Sequence, residues 1–237
     1  MRRHRLIFVL TLVVAGVALA GPPASQPATT PAATLTFLSQ LGYLQQLGDP
    51  TKLELTADQR TAIAAAQKAL DDSLAAISAN YKDQLPEIAA AEARAQHAAA
   101  IGDPREDPLV RLAGREKYLP YYRAQFAAHL QFHTAVAAAL TVDQRATWEG
   151  LMIRREFEAQ GIRRAKPTPA QQKQLEALYQ SAGRTLSAFK TTPTAEELAP
   201  ILLDAITTCR QRILTAAQCE ALGFPWSNPD ELTQPNR

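Results

Sequence analysis

The 237-residue sequence has few of the residue types that build disulfide-rich domains, metal clusters and aromatic binding surfaces. It contains two cysteines, two methionines and four histidines, and aromatic residues make up 6% of the chain. It lacks the phosphate loop G-x-x-x-x-G-K, the nucleophile elbow G-x-S-x-G, the zinc motif H-E-x-x-H and the C-x-x-C pair, so we predict that it is not an enzyme. No segment sustains the period-two alternation of a strand, which favours an all-α fold.

One long apolar run occurs, and it lies at the N-terminus. It extends from Leu6 to Leu19, follows three arginines and precedes a small-x-small cleavage site that ends at Ala20. This pattern predicts a secretory signal peptide over residues 1–20 and a periplasmic or otherwise exported protein, with no membrane span after cleavage. An uncleaved anchor is the alternative. Removing the three arginines from 25 basic residues leaves 22 against 23 acidic ones, a balance that predicts no nucleic-acid partner.

A five-residue motif, Leu-Thr-x-x-Gln, recurs along the chain. It begins at Leu55, Leu140 and Leu214, and looser copies begin at Pro167 and Pro193. A threonine followed three residues later by Gln or Glu has the spacing of a capping box, so each copy predicts the start of a helix. The predicted motif residues are Leu55, Thr56, Gln59, Leu140, Thr141, Gln144, Leu214, Thr215 and Gln218, with Thr168 and Thr194 as caps of the looser copies.

The motifs divide the chain into units. Residues 21–34, rich in Pro, Ala and Thr, predict a disordered linker. In residues 35–160, apolar residues recur every three or four positions on both sides of a turn at 102–108, which predicts a long antiparallel helical hairpin. Pro86 and Pro120 predict kinks or a local end in its arms. A second, smaller helical unit is predicted for residues 161–223, and a flexible tail for residues 224–237.

The Leu-Thr-x-x-Gln motif on either side of a helical hairpin resembles the LTxxQ-motif proteins of the bacterial periplasm, the family of the Spy and CpxP chaperone and stress-response proteins. The resemblance covers about residues 35–160, and the second unit is additional to it. It implies a homodimer of bent hairpins that binds unfolded envelope polypeptides without ATP. The candidate client-binding residues are Tyr121, Tyr122, Phe126, Arg154 and Arg155. A structural or adaptor protein of the envelope, without client binding, is an alternative.

Two histidines support a further alternative, a metal-sensing or signalling accessory protein. His129 and His133 are spaced i, i+4 and therefore share a helix face. Pairing of the hairpin arms is expected to bring Asp72 near them, and the family resemblance implies zinc or nickel as candidate ions. We favour the competing interpretation, in which both histidines are buried in the helical seam without metal. No cofactor is therefore predicted, apart from zinc or nickel as the candidate ion at these histidines.

The two cysteines, Cys209 and Cys219, lie ten residues apart in a chain predicted to be exported. On one straight helix they would be separated by about 15 Å, too far for a disulfide. The helix start predicted at Thr215 interrupts that helix, so a bridge across the turn becomes feasible. Two free buried thiols are the alternative.

Overall fold

The computed structural model of the protein describes residues 31–101 and 114–223, without the side chains of residues 31–35 and 96–101. The predicted signal peptide, the linker up to residue 30, the hairpin tip and the C-terminal tail lie outside these residues. The described part contains no strand, so the all-α prediction is confirmed. Its eight α-helices are α1 (Pro31–Gln46), α2 (Ala57–Asn80), α3 (Leu85–Ile101), α4 (Leu119–Ala139), α5 (Val142–Ala159), α6 (Pro169–Ser187), α7 (Ala195–Arg212) and α8 (Ala216–Leu222). None of them combines the length and the apolar character needed to cross a membrane.

All five predicted capping boxes are present. They begin α2, α5, α6, α7 and α8, with the cap at Thr56, Thr141, Thr168, Thr194 and Thr215. In each box the threonine hydroxyl accepts from the amide three residues later, and the side chain at that position accepts from the threonine amide. The repeated motif therefore sets where these five helices begin.

Pro86 and Pro120 lie at helix starts, whereas Pro200 lies inside α7. α2 ends at Asn80, and the next helix begins at Leu85 with Pro86 in its first turn. α4 likewise has Pro120 in its first turn, so this proline starts the helix where a kink was predicted. α1 begins at Pro31, so the last four residues of the predicted linker, 31–34, are helical. Proline suits these positions because the first-turn amides have no intrahelical acceptor.

α2 and α4 pack against each other as the two arms of the predicted hairpin. The face of α2 that was predicted from spacing is buried at Ile63, Leu70 and Ile77, and Val136 of α4 is fully buried. α1 lies across α4, where the rings of Phe37 and Phe126 have centroids 5.2 Å apart. The hairpin seam is thus partly covered within one chain.

A second core crosses the boundary predicted at residues 160 and 161. It joins Tyr43 of α1 and Phe157 of α5 to Leu186, Ile206 and further apolar residues of α6 to α8. α5 and α6 approach so closely that a Cβ added at Gly150 or Gly183 would collide with the backbone of the facing helix. The second unit therefore shares its core with α1 and α5.

The glutamines of the capping boxes also join distant helix starts. Gln59 donates its amide to Gln144 Oε1 at 2.7 Å and to Ala139 O at 3.0 Å. Gln144 donates to Gln59 Oε1 at 3.2 Å and to Glu54 O at 2.6 Å. Each glutamine thus caps its own helix and binds the segment preceding the other helix.

The same arrangement recurs between α6 and α8. Gln171 donates to Gln218 Oε1 at 2.9 Å and to Ile213 O at 2.7 Å, and Gln218 donates to Gln171 Oε1 and to Ala165 O. The Ala165 carbonyl lies three residues before the cap at Thr168. The other three acceptor carbonyls, of Glu54, Ala139 and Ile213, each lie two residues before a cap. Lys166, with φ 48°, is the left-handed residue within this longer segment.

Candidate functional site

An open cavity of about 570 Å³ lies between α4, the first half of α5 and the segment after α6. We name it the Glu149 cleft. Its apolar walls include Leu130, which is one of two large apolar side chains exposed among the described residues. It is lined by Tyr43, Leu130, His133, Thr134, Ala137, Ala138, Arg145, Glu149 and residues 186–193. A volume of this size is in the range of small-molecule and side-chain binding sites.

Glu149 is the buried charge at the base of the cleft, and only 1% of its side chain is exposed. Its Oε1 accepts a hydrogen bond from Arg145 Nε at 2.7 Å, one helical turn away on α5. Its Oε2 accepts from the Tyr43 hydroxyl at 3.4 Å. Burial, together with the negative charge of Glu149, raises the pKa of Tyr43 well above its ordinary range. Tyr43 therefore acts as a neutral donor to the carboxylate.

His133 completes this cluster from α4. Its ring stacks on Trp148, with centroids 5.2 Å apart, and Nε2 lies 3.6 Å from Glu149 Oε1. That distance exceeds a hydrogen bond, so the imidazole lies beside the carboxylate without bonding to it. Trp148 is fully buried and donates through Nε1 to Gly48 O at 2.6 Å, which fixes the stack.

The segment after α6 forms the opposite wall. Residues 188–193 connect α6 to α7 and carry Lys190, Thr191 and Thr192. α1 holds this wall in place, because Gln40 Nε2 donates to Thr192 O at 2.7 Å and Ser39 Oγ accepts from the amide that begins α7. A helix distant in sequence therefore positions one side of the cleft.

The predicted client-binding tyrosines are not on the surface. Tyr121 and Tyr122 are 9% and 2% exposed, in a core that also contains Leu41, Leu70 and Ile88. Phe126 is half-buried against the same core and against the second one. The prediction that Tyr121 and Tyr122 bind a client at the surface was wrong, because α1 to α3 cover this face of α4. For half-buried Phe126 it stays a prediction.

The two arginines of the predicted client surface have structural partners. Arg154 pairs with Glu158 at 3.3 Å and with Glu176 of α6 at 3.0 Å. Arg155 donates through Nη1 to the carbonyls of Gln46 and Leu47, the last turn of α1. Both side chains therefore connect helices, but Arg154 is 41% exposed and Arg155 is exposed, so their assignment to client binding stays a prediction.

The predicted metal site is not assembled either. No group of three His, Cys, Asp or Glu side chains suited to a metal occurs in residues 31–101 and 114–223. Asp72 is exposed and pairs with Lys68 at 2.6 Å. His129 is half-buried, which lowers its pKa, while His133 stacks on Trp148. The two histidines lie on one helix, as their i, i+4 spacing predicted. The two rings have different surroundings, and no third ligand lies near them among the described residues.

Cys209 and Cys219 are free thiols, so the predicted disulfide is not formed. The helix does break between them, as the cap at Thr215 predicted. Both thiols are buried in the core of α6 to α8, where they pack as small apolar side chains. Burial raises the pKa of Cys209 to about 12.

The sequence analysis missed the residues that build the Glu149 cleft. The Arg145–Glu149 pair has the i, i+4 spacing of an ordinary surface ion pair, and that spacing alone does not reveal burial. Trp148 indicated that α5 packs against other helices, but side chains one position apart on a helix point about 100° apart, so it did not reveal the burial of Glu149. Lys190 had no local signal, since α1 positions its segment.

The confirmed parts of the analysis are the helical fold and the helix starts. Comparison with protein-family models, with curated proteins and with solved structures finds no match to this chain. The resemblance to the LTxxQ-motif proteins therefore stays a prediction from the motif, and the cleft geometry carries the functional argument.

Proposed function

We propose that the protein is an exported, non-catalytic binding protein for unfolded or stressed envelope polypeptides, a chaperone-like protein that works without ATP. The cleft supports this proposal because it combines apolar and cationic walls in one open cavity. Leu130 supplies exposed apolar surface, while Arg145 and Lys190 supply charge. Weak apolar contacts combined with electrostatic attraction hold flexible chains without a nucleotide cycle.

The proposed place of binding differs from the surface predicted from sequence. Leu130 and Val142 are the large apolar side chains that are exposed among the described residues, and Leu130 lines the cleft. Tyr121 and Tyr122 would have to leave the core to reach a client. Polypeptide binding by this fold is therefore assigned to the Glu149 cleft.

The proposal is tested with a small secreted protein that aggregates when its disulfides are reduced. The processed full-length chain is expected to suppress light scattering at stoichiometric amounts. Leu130→Gln removes the apolar wall of the cleft and should weaken suppression severalfold. Val142→Gln is the matched control, because Val142 is 81% exposed at the start of α5 and lies outside the cleft lining.

Two results would contradict the proposal. Absence of suppression at large molar excess would contradict the chaperone-like activity. An equal loss of suppression in Leu130→Gln and Val142→Gln would show that the client does not bind at the cleft. The homodimer stays a proposal that scattering measurements on the same protein will address. The metal-sensing and adaptor alternatives have no supporting contact among the described residues.

A further inference from the structure

Positive charge exceeds negative charge at the walls of the Glu149 cleft. The charged lining residues are Arg145, Lys190 and Glu149, and the carboxylate of Glu149 already accepts from Arg145 and from Tyr43. Lys190 is exposed and has no partner among the described residues. Arg145 uses Nε for Glu149, and its two Nη groups have no hydrogen bond within the described part of the chain. The cleft thus offers cationic donors that no group in residues 31–101 or 114–223 occupies.

Neutral donors adjoin these cations. Thr191 and Thr192 line the cleft, and their hydroxyls make no hydrogen bond to a described residue. The backbone of this wall is fixed by the bond from Gln40 to Thr192 O. Donors held in place before binding lose less freedom when a ligand arrives, so such a wall favours a specific polar ligand.

We propose that the Glu149 cleft binds the carboxylate groups of polypeptides, through Arg145 and Lys190 with help from the threonine hydroxyls. The inference rests on the proposed function and names the chemistry of its ligand. A planar carboxylate matches the two parallel N–H groups that a guanidinium presents. A phosphate dianion is disfavoured, because it would bring two negative charges close to buried Glu149.

The test uses a labelled apolar peptide in four forms, titrated by fluorescence anisotropy into the processed full-length protein. One form has a free C-terminus, one an amidated C-terminus, and two amidated forms carry internal Glu or internal Gln. At least one of the two free carboxylates is expected to tighten binding at least about tenfold over its neutral counterpart. The pair that shows the difference identifies whether terminal or side-chain carboxylates are bound.

The variants separate the cleft from general charge effects. Lys190→Ala should reduce the preference for the carboxylate forms about threefold or more at low salt, because one of the two cations is lost. Arg145→Lys keeps a positive charge next to Glu149 but loses the two parallel N–H groups of the guanidinium. It should therefore also reduce the preference for the carboxylate forms. Arg145→Ala is avoided, since it would leave Glu149 buried without a cation. Lys173→Ala, on the exposed face of α6, is the charge-matched control and should change nothing.

The outcomes distinguish the inference from the proposed function. Binding of all four peptides with equal affinity would overturn the carboxylate inference and leave polypeptide binding standing. Failure to bind any peptide, together with absence of client protection, would overturn both. An equal effect of Lys190→Ala and Lys173→Ala would place carboxylate recognition outside the cleft and overturn the assignment.

Discussion

Glu156 is a buried carboxyl group whose Oε2 has no hydrogen-bond partner among the described residues, and its replacement gives the sharpest test of the fold. It lies on α5 with 9% exposure, and its Oε2 makes no hydrogen bond among the described residues. The neighbouring cations are engaged elsewhere, Arg154 with Glu158 and Glu176 and Arg155 with α1. Burial therefore raises the pKa of Glu156 from 4.5 to about 7.

The raised pKa makes folding stability depend on pH. Between pH 4.5 and about 7 the folded chain binds a proton that the unfolded chain releases, so stability falls as pH rises through this window. At about 1.4 kcal/mol for each pH unit, the loss is roughly 3 kcal/mol. Glu156→Gln keeps the shape and removes the charge. It should be more stable than wild type by up to about 3 kcal/mol at pH 8, with the difference vanishing below pH 4.5.

Urea unfolding curves from pH 4 to 8.5, followed by circular dichroism, measure this difference. Glu158→Gln is the matched control on the same helix. Although burial opposes them, hydrogen bonds from Arg163 and Arg154 lower the pKa of Glu158. That substitution should therefore cost stability at pH 8, and the cost should disappear as pH falls. Parallel profiles for wild type and Glu156→Gln would show that Glu156 is hydrated or paired, and would refute the packing of α5.

Three further predictions concern packing and the repeated motif. Gln59→Ala and Gln144→Ala should each cost about 1–2 kcal/mol in urea unfolding, and the double variant less than their sum, because either single change already removes both hydrogen bonds between the two side chains. Additive losses would contradict the pairing. Gly183→Ala should cost about 3 kcal/mol or more, because the α5 backbone blocks the new Cβ. Gly42→Ala has open space and should stabilise by about 0.5–1 kcal/mol in the same urea unfolding measurements. At pH 8, native Cys209 should react with iodoacetamide at least about a hundredfold more slowly than in denaturant. Resistance in denaturant as well would reveal a disulfide.

The helix starts could be predicted because their cause is local. A threonine and a glutamine three residues apart form the same two hydrogen bonds in every copy of the motif, whatever the surroundings. Pro86 marked the end of one hairpin segment for the same reason, since a missing amide acts only on its own turn. The burial of Ile63 and Ile77 followed from spacing alone, because a helix face repeats every three or four residues.

The cleft could not be predicted because each of its walls depends on a distant contact. Tyr121 and Tyr122 are aromatic residues on a helix, and only the placement of α1 to α3 makes them core. Glu149 has the sequence context of a surface ion pair until the Tyr43 hydroxyl approaches it from α1. Lys190 enters the cleft because Gln40 holds the following segment. α1 thus contributes to both the core and the site.

The repeated motif and the cleft are connected through α5. Thr141 begins this helix, so Arg145 and Glu149 lie about one and two turns from a start that Gln144 and Gln59 hold against α2. The opposite wall follows α6, whose own start is joined to α8 by the second glutamine pair. A shift of either start by one residue would rotate the following side chains by about 100° and would separate the cationic groups. The glutamines therefore determine more than where helices begin. Because their pairing fixes the register of α5 and α6, the motif positions the carboxylate-binding groups that we propose.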